Sequence, residues 1–195
     1  MDLEVDGRDL GRVDFELFGN AAPKSVNNFL GFVTGEFDRY LWYKNSYFLS
    51  VFQQRFALAG DFLKNDGSGS ATVYPETERM PAEENHLKFS EPYLLAMACD
   101  ADGKTGSQFF VTFTAMPCLN GSKHTVIGRV LKGKHVVDKM ELAETYHKAG
   151  LQQKAQQMMG IEKSAEAPYA LSKSEQHSRI LIKDCGAYKF EKTFQ

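Results

Sequence analysis

The chain has 195 residues, 43% hydrophobic and 25% charged, with 16 Gly and 6 Pro, the proportions of a folded globular protein rather than a disordered or fibrous one. Its 23 basic and 25 acidic residues leave a net charge of −2, so the chain carries no electrostatic footprint for nucleic acid. The longest strictly apolar run, Tyr93 to Cys99, falls far short of the roughly 18–20 residues a membrane helix needs. At roughly 100–200 residues per domain, a single domain over 1–195 is expected. Three cysteines, Cys99, Cys118 and Cys185, include no CxxC pair, which argues against both a disulfide framework and a zinc cage. Met1 is followed by Asp2 and Glu4, with neither a basic-then-apolar signal nor an Arg-rich leader. A cytoplasmic protein is the resulting expectation, with an organelle left open.

Strand-like alternation opens the chain. Leu3 and Val5 alternate with acids, Asp6-Gly7 reads as a turn, and Val13, Phe15 and Leu17 form a second period-two run. This predicts an N-terminal hairpin with Gly7 and Gly11 in the connection. A helix follows, with Pro23 in its first turn, Val26, Phe29, Leu30 and Val33 on one face, and Gly35 at its end. Residues 43–62 are aromatic and strand-rich, and Asn65–Ser70 is a polar glycine loop. Apolar runs at Tyr93–Cys99 and Phe109–Phe113 flank the turn segment Asp100–Gly106, and a strand follows at Thr125–Leu131. Val136, Val137 and Met140 then share a helix face, and the last strand is Arg179–Lys183. Between about 146 and 178 the composition shifts to Gln, Lys, Ala and Met, which predicts an inserted helical segment of about three turns followed by a loop. Many strands framed by two helices suggest a closed antiparallel barrel with helical caps.

The order of motifs resembles the cyclophilin-type peptidyl-prolyl cis-trans isomerases. The carrying stretches are VDGRDLGRVDFELF (Val5–Phe18), APKSVNNF (Ala22–Phe29), YKNSYF (Tyr43–Phe48), AGDF (Ala59–Phe62), DGSG (Asp66–Gly69), GSQFFVT (Gly106–Thr112), LNGSKHTVIG (Leu119–Gly128) and DCG (Asp184–Gly186). The resemblance implies a mainly β fold, an eight-stranded antiparallel barrel capped by two helices, here with the inserted segment near the C-terminus.

It also implies a proline-peptide site. Phe110 and Leu119 match the floor and wall of the family's proline pocket, His124 its rim histidine, and Gln108 the glutamine of GSQFF. Phe56 stands where the family has methionine, and Gly67 matches a glycine of the neighbouring loop. The catalytic side departs from the pattern. The family reads YKGSCFHR where this chain reads YKNSYFLS, so Ser50 occupies the arginine position. The peptide-holding glutamine has become Leu58 and a pocket phenylalanine Arg55, which leaves Arg55 as the one weak substitute for the missing arginine. Cys99 replaces an asparagine, and Cys118 stands where tryptophan is frequent.

Losing a transition-state donor costs about 10²–10³ in rate. The expectation is therefore a binder of proline-containing peptides or proteins with weak or lost isomerase activity, acting in protein interaction or as a subunit of a larger assembly. The alternative is a working isomerase and folding helper with altered substrate preference. No cofactor and no metal are expected. The Asp66–Ser70 loop lacks the lysine and spacing of a P-loop, and two thiols with one imidazole are a weak metal constellation. Asn120-Gly121-Ser122, formally a glycosylation sequon, reads as a tight turn.

Overall fold

The computed structural model describes residues 1–38, 40–143 and 179–188. The segment expected at about 146–178 lies outside them. Eleven strands and two helices are described: β1 Asp2–Val5, β2 Arg8–Arg12, β3 Asp14–Leu17, α1 Pro23–Thr34, β4 Ser46–Tyr47, β5 Ser50–Phe52, β6 Phe56–Ala59, β7 Met80–Pro81, β8 Leu94–Cys99, β9 Lys104–Thr112, β10 Thr125–Lys132, α2 Lys134–Leu142 and β11 Ile180–Asp184. All pairings are antiparallel, in two sheets ordered β2-β1-β11-β4 and β3-β10-β8-β9-β6-β5, with β7 also on β9. Only Val13 separates β2 from β3, and only Phe48 and Leu49 separate β4 from β5, so the end strands of the two sheets are successive stretches of chain.

Helix α1 follows its sequence signals. Pro23 occupies the first turn, and Gly35 closes the helix at φ +66°, its N–H donating to the Gly31 carbonyl. The carboxylate of Glu83 accepts the N–H of Ser25 at 2.9 Å, serving the helix start from a distant loop.

The opening hairpin differs from expectation. Asp6 and Gly7, at φ +49° and +76°, form a two-residue turn that pairs β1 with the polar strand β2, not with the Val13–Leu17 run. That run is β3 and pairs with β10. Gly11 lies inside β2 rather than in the connection. At φ +124° it passes so close to α2 that a Cβ there would sit 2.8 Å from Val136 Cγ2.

The longer strands are buried on both faces, which is why LLAMAC and GSQFFVT read as continuous runs instead of alternating ones. One face of β6, β8, β9 and β10 contributes Ala57, Leu95, Met97, Phe109, Val111 and Ile127 to the main core, against α1 and α2. Tyr43 is its hub. Its ring contacts Phe29, Phe32, Phe62 and Phe109 at centroid distances of 5.0–5.8 Å, and its hydroxyl donates to the Ser107 carbonyl at 2.5 Å. The opposite face of the same strands builds a second apolar cluster from Phe56, Leu58, Leu94, Ala96, Phe110 and Val126.

Candidate functional site

The second cluster contains Phe56, Leu58, Phe110 and Leu119 of the positions singled out from sequence. Register places Ser50 of β5 opposite Leu58 of β6, Leu58 opposite Phe110 of β9, Phe110 opposite Ala96 of β8, and Ala96 opposite Val126 of β10. Directly opposed residues share a sheet face, so these five form one row across five strands. Phe56 lies two residues before Leu58 on β6, and its ring meets that of Phe110 at 5.4 Å. Leu119 joins from a short 3-10 turn, Pro117–Leu119, that packs on the row. The row is closed to solvent: Ser50 and Phe110 are 0% exposed, and Leu58 and Leu119 2%.

His124 precedes β10 and sets its ring edge-on to Phe110, with centroids 5.4 Å apart. Its Nδ1 accepts the Cys99 N–H at 3.1 Å, so the neutral ring carries its proton on Nε2. Burial lowers the imidazole pKa to about 4, which keeps His124 neutral through the physiological range.

Gln108, two residues before Phe110 on β9, faces the same side. Its Nε2 donates to the Gly67 and Gly69 carbonyls at 3.0 and 2.7 Å, while its buried Oε1 has no hydrogen-bond partner. The loop it holds is organised by Asp61, a fully buried residue. One carboxylate oxygen accepts the Lys64 N–H at 2.9 Å, and the other accepts those of Asp66, Gly67 and Gly69 at 3.2, 2.8 and 3.0 Å. The glycine loop is thus an anion-binding nest whose anion is built in, which explains why its likeness to a phosphate loop leads nowhere.

Arg55 is not brought into the row. It is exposed in the turn joining β5 to β6, with its N–H donating to the Phe52 carbonyl and its own carbonyl accepting the Phe113 N–H. Two further arginines are engaged elsewhere, Arg79 with Asp100 at 2.9 Å and Arg129 with Glu16 at 2.8 Å. Cys99 is buried, and burial pushes its thiol up to about 11, whereas Cys118 is exposed. Among the described residues, no three His, Cys, Asp or Glu side chains gather as a metal site. The Asn120 motif is a turn, with Gly121 at φ +87° and the Ser122 N–H donating to the Leu119 carbonyl.

Sequence reasoning missed Phe89. Its ring stacks on Phe110 with centroids 5.9 Å apart and planes within 15°. Its N–H donates to Asn120 Oδ1 at 2.8 Å and its carbonyl accepts the Met116 N–H at 2.8 Å, which ties its loop to the turn carrying Leu119. A lone aromatic in a polar stretch gives no periodic signal. Asp61 had a readable one, since an aspartate followed within eight residues by Asp, Gly, Ser and Gly is the composition of a side-chain-capped loop.

A mainly β fold with two helices and antiparallel sheets is consistent with a cyclophilin fold. The family model for cyclophilin type peptidyl-prolyl cis-trans isomerase/CLD matches residues 1–165, and the chain belongs to that family. No helix among the described residues is long and apolar enough to cross a membrane.

Proposed function

We propose that this domain binds proline-containing segments of a protein partner, that its isomerase activity is weak or lost, and that its role is that of an interaction module or a subunit in an assembly. We read the 195 residues as one such domain. Its two sheets, connected through β2–β3 and β4–β5, are read as the halves of one eight-stranded barrel.

Rotation about a prolyl amide faces a barrier of about 18–20 kcal/mol. Twisting destroys amide resonance and turns the nitrogen into a better acceptor only at the transition state, so a donor aimed there acts selectively on the rate. The observation that carries the proposal is the pair Ser50 and Leu58. The position that resemblance gives to the donor holds a short hydroxyl, and the residue facing it is an aliphatic side chain. Phe110, Leu119 and Phe56 retain the apolar base that a proline ring requires, and Phe89 covers it from the side of the Asn120 turn.

Titration with a short proline-containing peptide, followed by amide chemical shifts, tests this reading. Shifts centred on Gln108, Phe110 and His124 are expected. A peptide that leaves those three signals unmoved contradicts it.

A further inference from the structure

The apolar base that a proline ring would use is already covered by the chain itself. Phe110 is 0% exposed, Phe56 1% and Leu119 2%. A binding site offers surface that its ligand then buries, so a base with no exposed surface must first be uncovered. Among the described residues, three rings pack on Phe110: Phe56 and His124 with centroids 5.4 Å away, and Phe89 at 5.9 Å. These are contact distances for aromatic pairs, so a further ring reaches Phe110 only after one of the three has moved.

The three rings differ in what a displacement would break. His124 Nδ1 accepts the Cys99 N–H at 3.1 Å, so swinging the imidazole away strips the partner from a buried backbone donor. Phe89 lies nearly parallel to Phe110, and its N–H and carbonyl are both engaged, with Asn120 Oδ1 and the Met116 N–H, which fixes the loop that presents the ring. Phe56 has an all-carbon side chain, so a change of rotamer costs packing alone. Its ring is tilted 57° to Phe110 and 41° to its cross-strand partner Phe52, 4.7 Å away. Phe56 also stands at the margin of the cluster. It opens β6 directly after the exposed residues 53–55, and Phe52 is half-buried.

We propose that Phe56 is an internal plug that sets the affinity of the site: its ring occupies the place of the ligand's proline ring, and a proline-containing segment binds by displacing it from Phe110. This inference rests on the peptide-binding reading above and adds to it the residue that controls access. The plugged and open arrangements are two rotamers of one side chain in equilibrium, and the ligand binds only the open one. Apparent affinity is then the intrinsic affinity reduced by the open fraction, so a substitution that removes the plug tightens binding without adding any contact. Phe56 is thus a determinant of affinity, with Phe110 and Leu119 beneath it as the surface that does the binding.

The test titrates the full chain with the capped peptide AAPA and reads the amide shifts of Gln108, Phe110 and His124. Phe56→Ala is expected to tighten binding by at least about tenfold. Phe56→Met, which keeps most of the volume without the rigid ring and spares the core a large hole, is expected to tighten it several-fold. In the unmodified protein at saturation, nuclear Overhauser contacts from the proline ring to Phe110 are expected to replace those from Phe56, while those from Phe89 and His124 persist. Binding that appears only in the Phe56 variants also supports the plug, although it removes the peptide-binding reading for the natural chain. Equal affinity in all three proteins overturns the plug and leaves that reading standing. Proline contacts to Phe110 with the Phe56 contacts intact overturn it too, as does equal or greater tightening in Phe89→Ala, which would assign the plug to Phe89. Unmoved signals in every protein overturn both.

Discussion

Ser50 and Leu58 are direct cross-strand partners on β5 and β6. The two positions to which the motif resemblance assigns the family's arginine and peptide-holding glutamine are therefore one structural unit, a buried pair. Restoring a guanidinium alone would place a charge beside an aliphatic neighbour at a fully buried position, which is costly unless the charge is hydrogen-bonded. Ser50→Arg is expected to lower stability by about 2 kcal/mol or more without a matching gain in rate. Ser50→Arg with Leu58→Gln is expected to raise prolyl isomerisation by at least about tenfold over the unmodified protein. Thermal unfolding and an isomerisation assay on both variants check this, and equal rates in the single and double variants would speak against the coupling.

Asp61 is the structural key to the loop beneath Gln108. Asp61→Ala removes the shared acceptor of four backbone N–H groups, two of them on the buried residues Gly67 and Gly69. A loss of about 3–5 kcal/mol is expected. Exchange of the Gly67 and Gly69 amides should accelerate well before global unfolding. Unchanged exchange at those glycines would mean that the carboxylate does not hold the loop.

The buried imidazole of His124 gives a pH dependence of defined sign. Its folded pKa, about 4, lies below the ordinary 6.5, so the unfolded chain takes up a proton that the folded state refuses. The contribution is present in full above pH 6.5 and is lost as pH falls from 6.5 toward 4, amounting to about 3 kcal/mol over that window. Denaturant titrations between pH 7 and pH 4 should show this decline. His124→Gln should flatten it, and an undiminished slope in that variant would assign the titration elsewhere.

Much of this architecture is legible in the sequence because apolar spacing and turn chemistry act locally. Pro23, the Val26–Val33 face and Gly35 mark α1, and the apolar runs mark β8 and β9. The resemblance assigns Gln108, Phe110, Leu119 and His124 to one site; the structure sets His124 edge-on to Phe110 and packs Leu119 in the same apolar cluster. What stayed hidden depends on tertiary geometry. β2 is polar and lacks alternation, so only the Asp6-Gly7 turn betrays it. Phe89 reaches Phe110 from a loop with no pattern. Arg55 can be positioned along the chain by its motif, but the motif does not reveal that its side chain is exposed in a turn.

Cys99 and Cys118 differ sharply in environment, which bears on whether they form a functional pair. Burial raises the Cys99 thiol to about 11, while Cys118 is exposed. Alkylation of the native protein is expected to modify Cys118 at least about 100-fold faster than Cys99. Mass mapping of time points reads this directly. Comparable rates would contradict the difference in environment, and protection of both residues until reductant is added would point to a bond between them.

The most direct measurement is the cis-trans exchange rate of a proline-containing peptide in the presence of the unmodified protein, compared with a family member that has the arginine. The account predicts a rate at least about tenfold lower here, with the peptide still bound. A rate equal to that of the arginine-bearing site would contradict it, since rotation would then be driven without a guanidinium at position 50.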